Sequence, residues 1–114
     1  MVTLFGIGNC DTVRKARRWL DGHGVEYRFH DIRADGLTRV QLESWVQALG
    51  WEKLLNRRGT TWRKLPAAVR DCIDRRTAVK LMLEHPAMIK RPLLDLGDTL
   101  HLGFSETAYN DLFA

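Results

Sequence analysis

Cysteine is scarce in this chain: its 114 residues hold only Cys10 and Cys72. Two cysteines are too few for a disulfide framework, and they form no CxxC pair. No Cys/His spacing suits zinc, so no metal site is expected. Long apolar runs are missing too. None approaches the roughly 18–20 residues that span a bilayer. No basic leader precedes the apolar residues Val2, Leu4 and Phe5. The expectation is a cytoplasmic protein with no membrane partner. Nor does charge of one sign accumulate. The net charge is +4, yet the cations come in small groups: Arg14, Lys15, Arg17 and Arg18; Arg57 and Arg58; Arg63 and Lys64; Arg75 and Arg76; Lys90 and Arg91. Runs of five or six like charges, which mark nucleic-acid tails, do not occur, so no nucleic-acid partner is expected. Solvated helix faces account for most of these groups, and an anionic ligand near one or two is the sharper alternative. Repeats, low-complexity tracts and linkers are absent. What remains is one domain, 45% hydrophobic, long enough to bury a core of its own.

Periodicity then orders the chain. Residues 2–7 are close to continuously apolar and read as a central strand. A helix over about 11–22 carries Val13, Ala16, Trp19 and Leu20 inward, and Gly22 and Gly24 stop it. Residues 25–30 alternate, with Val25, Tyr27 and Phe29 on one face, as a half-exposed strand. Asp31–Gly36 is a turn. Thr38 and Gln41 form a capping box for a second helix, stapled by Leu37 and Leu42 and ended by Gly50. Its buried stripe is Leu42, Trp45, Val46 and Leu49. A short helical turn follows at Trp51–Leu55, then a loop over residues 57–61. Pro66 opens a helix with Val69, Cys72 and Ile73 on one face, which places Cys72 in the core. Thr77–His85 is a further helix, with Ala78, Leu81 and Met82 inward, ended by Pro86. Residues 92–96 and 99–102 flank Gly97-Asp98 as a hairpin. Ser105 starts the last helix, with Phe104 and Tyr109 at staple spacing. The order is β-α-β, a helical block, then β-β-α. Without the block this is a thioredoxin-like plan with one mixed four-stranded sheet.

The chemistry converges on Cys10. It lies between Asn9 and Asp11, off the apolar stripe, where a glycine-rich turn (Gly6, Gly8) feeds a helix. A helix start offers free N–H groups and about half a positive charge, which favours thiolate, the reactive form. Strand ends in open α/β sheets are also where ligands bind. Asp11 opposes this, since a nearby carboxylate raises a thiol pKa. Arg91 and Pro92 open the third strand. A cis-proline holds this place in a thioredoxin-like sheet, facing the cysteine and exposing backbone groups to a thiol peptide. The planar fork of Arg91 suits a carboxylate or oxyanion. Arg57 is a loop arginine. His23, His30, His85 and His101 are scattered, and none is assigned a catalytic role.

Three stretches carry a family resemblance over essentially the whole length. They are Gly8-Asn9-Cys10-Asp11-Thr12 with Arg14-Lys15-Ala16, then Leu54-Leu55-Asn56, then His85-Pro86-Ala87-Met88-Ile89-Lys90-Arg91-Pro92-Leu93-Leu94. The chain resembles the ArsC/Spx/YffB group, the arsenate reductase-like branch of the thioredoxin-like fold, and most of all its YffB type. In the arsenate reductases the matching cysteine attacks arsenate, three arginines hold the oxyanion, and glutathione with glutaredoxin completes the reduction. Cys10 and Arg91 match two of those positions. Asn56 replaces a second arginine, although Arg57 follows it. The third would fall near Leu102-Gly103, and an assisting histidine would fall at Gly6. Charge-assisted hydrogen bonds contribute roughly 1.5–3 kcal/mol each, so two missing arginines weigh against arsenate. Spx-like members bind RNA polymerase and often carry a CxxC switch, whose second position is Val13 here.

The resemblance and the residues together imply a glutathione-dependent thiol-disulfide oxidoreductase with Cys10 as its only nucleophile. Arg91, Pro92, Arg57, Asn9 and Thr12 would bind glutathione or substrate. Glutathione would be a co-substrate, with no bound cofactor. An arsenate reductase and a non-catalytic regulator that binds RNA polymerase are the alternatives. The thioredoxin-like core is expected at about 1–36 and 90–114, with a helical insertion at about 37–89.

Overall fold

A computed structural model describes residues 2–114. Four strands make one mixed sheet, as the hydrophobic pattern predicts, and their order is β2-β1-β3-β4. They are β1 (Val2–Gly6), β2 (Tyr27–Asp31), β3 (Leu93–Asp95) and β4 (Leu100–Leu102). β1 and β2 are parallel, joined through α1 (Asp11–Gly22), while β3 runs antiparallel to both β1 and β4. Register places Phe29, Leu4, Leu94 and His101 in one row across the sheet. The β3–β4 turn closes with the Leu96 N–H on the Thr99 carbonyl at 2.9 Å. Gly97 takes φ 99° there, a region that glycine enters at no steric cost.

The chain forms two compact units: residues up to Asp35 with Arg91–Ala114, and Gly36–Lys90. In the first, Leu4, Ala16, Trp19, Leu20, Leu94 and Tyr109 make a buried cluster between sheet and helices. Val2, Val25, Tyr27 and Phe29 pack on it, as their alternation predicts. The closing helix α7 (Glu106–Leu112) is capped by Ser105, whose Oγ accepts the Ala108 N–H at 3.1 Å. It sends Tyr109 into an aromatic nest: Trp19 meets it edge-on at 5.4 Å and Phe104 at 4.7 Å between ring centroids.

The second unit is helical. α2 (Arg39–Leu49) begins at Thr38, whose Oγ1 accepts the Gln41 N–H at 3.1 Å. It packs on α3 (Trp51–Leu54) and on α6 (Arg75–Glu84). Leu55 bridges to Ile89, and the Lys90 N–H reaches the Leu54 carbonyl at 2.7 Å.

Three expectations change here. The loop expected over 57–61 gives way to a four-residue helix, α4 (Thr60–Arg63), because Trp62 buries its indole and draws the chain round it. α5 (Ala67–Asp71) buries no residue, and Cys72 at its end is exposed, not core. One helical turn is too short for the Val69–Cys72–Ile73 spacing to define a face. α6 starts before Thr77, because Asp74 caps it by accepting the Thr77 N–H at 2.9 Å. Ala78 and Met82 are buried there as expected, and Val79 joins them, whereas Leu81 is half-buried. Among the described residues no helix is long and apolar enough to cross a membrane.

Candidate functional site

β1 ends at Gly6, and Ile7 to Cys10 turn the chain into α1. The Cys10 N–H closes that turn on the Ile7 carbonyl at 3.1 Å, and its own carbonyl accepts the Arg14 N–H at 3.0 Å. Cys10 is thus the N-cap of α1, with extended backbone (φ −87°, ψ 127°). Its side chain is half-buried, whereas Gly8, Asn9, Asp11 and Thr12 are exposed. Burial opposes ionisation of the thiol. The Val13 N–H, the hydrogen bond and charge of the Arg91 guanidinium, and the Thr12 N–H together outweigh it and hold the thiol below its ordinary pKa. The carboxylate of Asp11 is engaged elsewhere: it accepts from Arg14 Nη1 at 3.0 Å and is 87% exposed, so water screens it well.

The fold therefore brings Cys10, Thr12 and Arg91 together. Pro92 is buried beside Arg91, and the peptide bond between them is cis. Pro92 itself offers little backbone to a bound peptide. It has no N–H, and its carbonyl already accepts the Gly103 N–H at 2.8 Å. Arg57 belongs to the helical unit. Its guanidinium lies over the rings of Trp51 and Trp62, at 5.8 and 5.7 Å from their centroids, which orients a side chain that is otherwise exposed. Among the α1 cations, Arg17 is not a solvated face residue. It donates to the Tyr27 hydroxyl at 3.2 Å and covers the Phe29 ring at 4.2 Å.

Two residues beside the cysteine gain meaning only in three dimensions. A Cβ on Gly6 would lie 2.7 and 2.9 Å from the two methyl groups of Val13. Val13 thus closes position 6 to a side chain. Gly6→Ala is expected to destabilise the fold by about 1–3 kcal/mol through overpacking. Adding Val13→Ala makes room, so urea unfolding of the double variant should show a favourable coupling between the sites. If the two effects simply add, the contact does not set the choice of glycine. The second residue is Asp31, expected in a turn and found as the last residue of β2. Its carboxylate accepts N–H groups from Gly8 at 3.1 Å, Arg33 at 2.9 Å and Ala34 at 3.0 Å. The Ala34 N–H leads in holding it below the usual carboxylate range, against some desolvation, with Gly8 and Arg33 helping. An Asp closing a strand before Asp35-Gly36 is a turn signal, but nothing local points to Gly8.

A thiol at a helix start, a cationic partner and a cis-proline ahead of the third strand define a thioredoxin-like protein with a single cysteine at its site. The chain belongs to the ArsC family, whose model matches residues 5–112. It is similar over the full length of both chains to a solved YffB protein, at 47% identity and a TM-score of 0.94. An uncharacterized protein of Haemophilus influenzae is 42% identical over 114 residues, again the whole of each chain. The global transcriptional regulator Spx of Streptococcus pyogenes is 31% identical over 108 residues, covering 93% of this chain and 80% of that one.

Proposed function

We propose that this protein is a thiol-disulfide oxidoreductase that uses glutathione as its reductant. The observation that carries the reading is the Cys10 thiol, favoured as thiolate by the Val13 and Thr12 N–H groups and by Arg91. Position 13, where a dithiol motif would carry its second cysteine, holds Val13. A thiolate without a resolving neighbour in its motif passes its mixed disulfide to an external thiol.

The reaction runs in two exchanges. The Cys10 thiolate attacks the disulfide of a glutathionylated substrate. The S–S bond breaks, the substrate leaves as a thiolate and takes up a proton, and Cys10 carries glutathione. A second glutathione, as thiolate, attacks that bond, releases oxidised glutathione and returns the Cys10 thiolate. Arg91 steadies the thiolate as leaving group and holds a glutathione carboxylate. Asn9 and Thr12 supply polar contacts at the exposed rim, and Pro92, next to Arg91, lends the site an apolar surface.

Mass spectrometry after exposure to oxidised glutathione tests this. Because Cys72 is exposed, a Cys72→Ser background is the proper parent. One glutathione adduct at Cys10, removed by reduced glutathione, is expected. No adduct, or one that reduced glutathione leaves in place, would sink the reading.

Arg91→Ala removes a hydrogen bond and a positive charge that both favour the thiolate. The Cys10 pKa therefore rises. The curve of iodoacetamide alkylation against pH should move to higher pH, with roughly tenfold slower reaction near neutrality and a common plateau at high pH. An unmoved curve would show that Arg91 does not act on the thiol.

The similarity to Spx favours a second reading: a transcriptional regulator whose partner is RNA polymerase. Co-purification of RNA polymerase with both wild type and Cys10→Ser would support it. Arsenate turnover is the third outcome to measure, and the single arginine at Cys10 argues against it.

A further inference from the structure

We infer that Asp31 is a positioning residue for the Cys10 thiol, clamping the turn that delivers it to the helix. The inference rests on Cys10 being the reactive group, as proposed above. It is carried by the hydrogen bonds of one carboxylate. Oδ2 accepts the Gly8 N–H at 3.1 Å, across 23 residues of chain. Oδ1 accepts the Arg33 and Ala34 N–H groups at 2.9 and 3.0 Å. The backbone of Asp31 is anchored as well. Its N–H donates to Asp35 Oδ2 at 3.0 Å, and its carbonyl accepts the Asp35 N–H at 2.7 Å. Beside it the Ile32 N–H meets the Gly6 carbonyl at 2.9 Å. The end of β2 is thus a fixed post, and Gly8 is tied to it.

The tie matters because Ile7 and Cys10 anchor the two ends of the turn while, among the described residues, nothing packs on its tip. Gly8 and Asn9 are exposed, so packing does not confine them. Among the described residues, the turn itself closes through one hydrogen bond, from the Cys10 N–H to the Ile7 carbonyl. Cys10 is both the last residue of that turn and the cap of α1. A shift of the turn moves its sulfur against the Val13 and Thr12 N–H groups and Arg91, and the pull of each on the thiolate falls with distance. Only an ionised carboxylate offers acceptors on both atoms. An asparagine could serve Gly8 or the Arg33–Ala34 pair, and would turn an NH₂ group towards the other.

Charge and position predict opposite results, which makes the idea testable. Taken as a bare negative charge, Asp31 would oppose the thiolate, and Asp31→Asn would speed alkylation of Cys10. As a positioning residue it favours the thiolate, and the same change slows alkylation. In the Cys72→Ser background, Asp31→Asn is expected to slow iodoacetamide alkylation at neutral pH about three- to tenfold and to move the pH profile upward. Gly8→Pro is the second variant. It deletes the donor and keeps a carboxylate at position 31. Gly8 has no positive φ, and it sits at the second position of the turn, where proline fits. Its ring would push the Asp31 carboxylate off the turn, since a Cβ lies 3.3 Å from Oδ2 and the ring carbon that replaces the N–H lies closer still, so the variant breaks the tie from the Gly8 side. Gly8→Pro should slow alkylation in the same direction, and it carries the test if circular dichroism shows Asp31→Asn to be unfolded. An unchanged or faster rate in either folded variant overturns the inference. The wild-type glutathione adduct separates the two claims: its absence removes the proposed function, whereas its presence with unmoved variants removes only the role of Asp31.

Discussion

Cys10→Ser is expected to bring glutathione exchange down to the uncatalysed rate. The alcohol of serine does not ionise near neutral pH and forms no disulfide, so neither exchange step has a nucleophile. The change is nearly isosteric at a half-buried cap position, and serine is a preferred N-cap residue. The variant should therefore fold as well as wild type, which ties lost activity to lost chemistry. The measurement is turnover of a glutathionylated peptide, with thermal unfolding alongside. Cys72→Ser in the same assay should retain activity, because Cys72 belongs to the helical unit and no step uses it. If Cys72→Ser lost the activity and Cys10→Ser kept it, the mechanism would be wrong at its first step.

The largest effect on stability is expected at Tyr109. Its side chain is fully buried, with Trp19, Phe104, Phe113 and His101 ringed about it at 4.7 to 6.2 Å between centroids. Three of these pairs, with Trp19, Phe104 and His101, stand steeply edge-to-face, a geometry that contributes beyond simple burial. Truncating a large aromatic side chain in a core destabilises by about 3–5 kcal/mol. Total stability for such a domain is about 5–15 kcal/mol, so Tyr109→Ala should sit close to the folding limit. The melting temperature should fall by roughly 10–25 °C. Tyr109→Phe is the informative control. The hydroxyl is buried, finds no hydrogen-bond partner among the described residues, and is pushed well above its ordinary pKa by that burial. Leaving a polar group unsatisfied in a core costs about 1–3 kcal/mol, so its removal should leave stability unchanged or raise it. A clear loss of stability in Tyr109→Phe would show that the hydroxyl does have a partner.

Much of the fold was legible in the residues because it depends on short-range rules. Thr38 and Ser105 cap their helices where side-chain chemistry predicts. Gly97 turns the hairpin, and Val25, Tyr27 and Phe29 face the core by simple alternation. The helical unit was harder to read. α4 and α5 are each about one turn long, too short to show a period, so the Trp62 anchor was missed and Cys72 was placed in a core that it does not enter. Asp74 was overlooked as a cap because Arg75 and Arg76 broke the apolar pattern behind it.

The site divides along the same line. That a cysteine begins a helix after a glycine-rich turn follows from residues 6–16, because capping and turn formation involve neighbours in sequence. So does the absence of a second cysteine at Val13. What the thiol meets from beyond its own helix is set by tertiary structure. The sheet order β2-β1-β3-β4 lays β3 beside β1 and sets Arg91 against Cys10. The parallel pairing of β1 with β2 sets Asp31 opposite Gly6, within reach of Gly8. The fit of Val13 over Gly6 leaves no room for a side chain there. Such contacts join distant parts of the chain, and each depends on the register of strands packed by many other residues. A local pattern carries no record of them. A thiol at a helix start, with the Val13 and Thr12 N–H groups beside it, follows from neighbours in sequence, and the packed sheet adds Arg91.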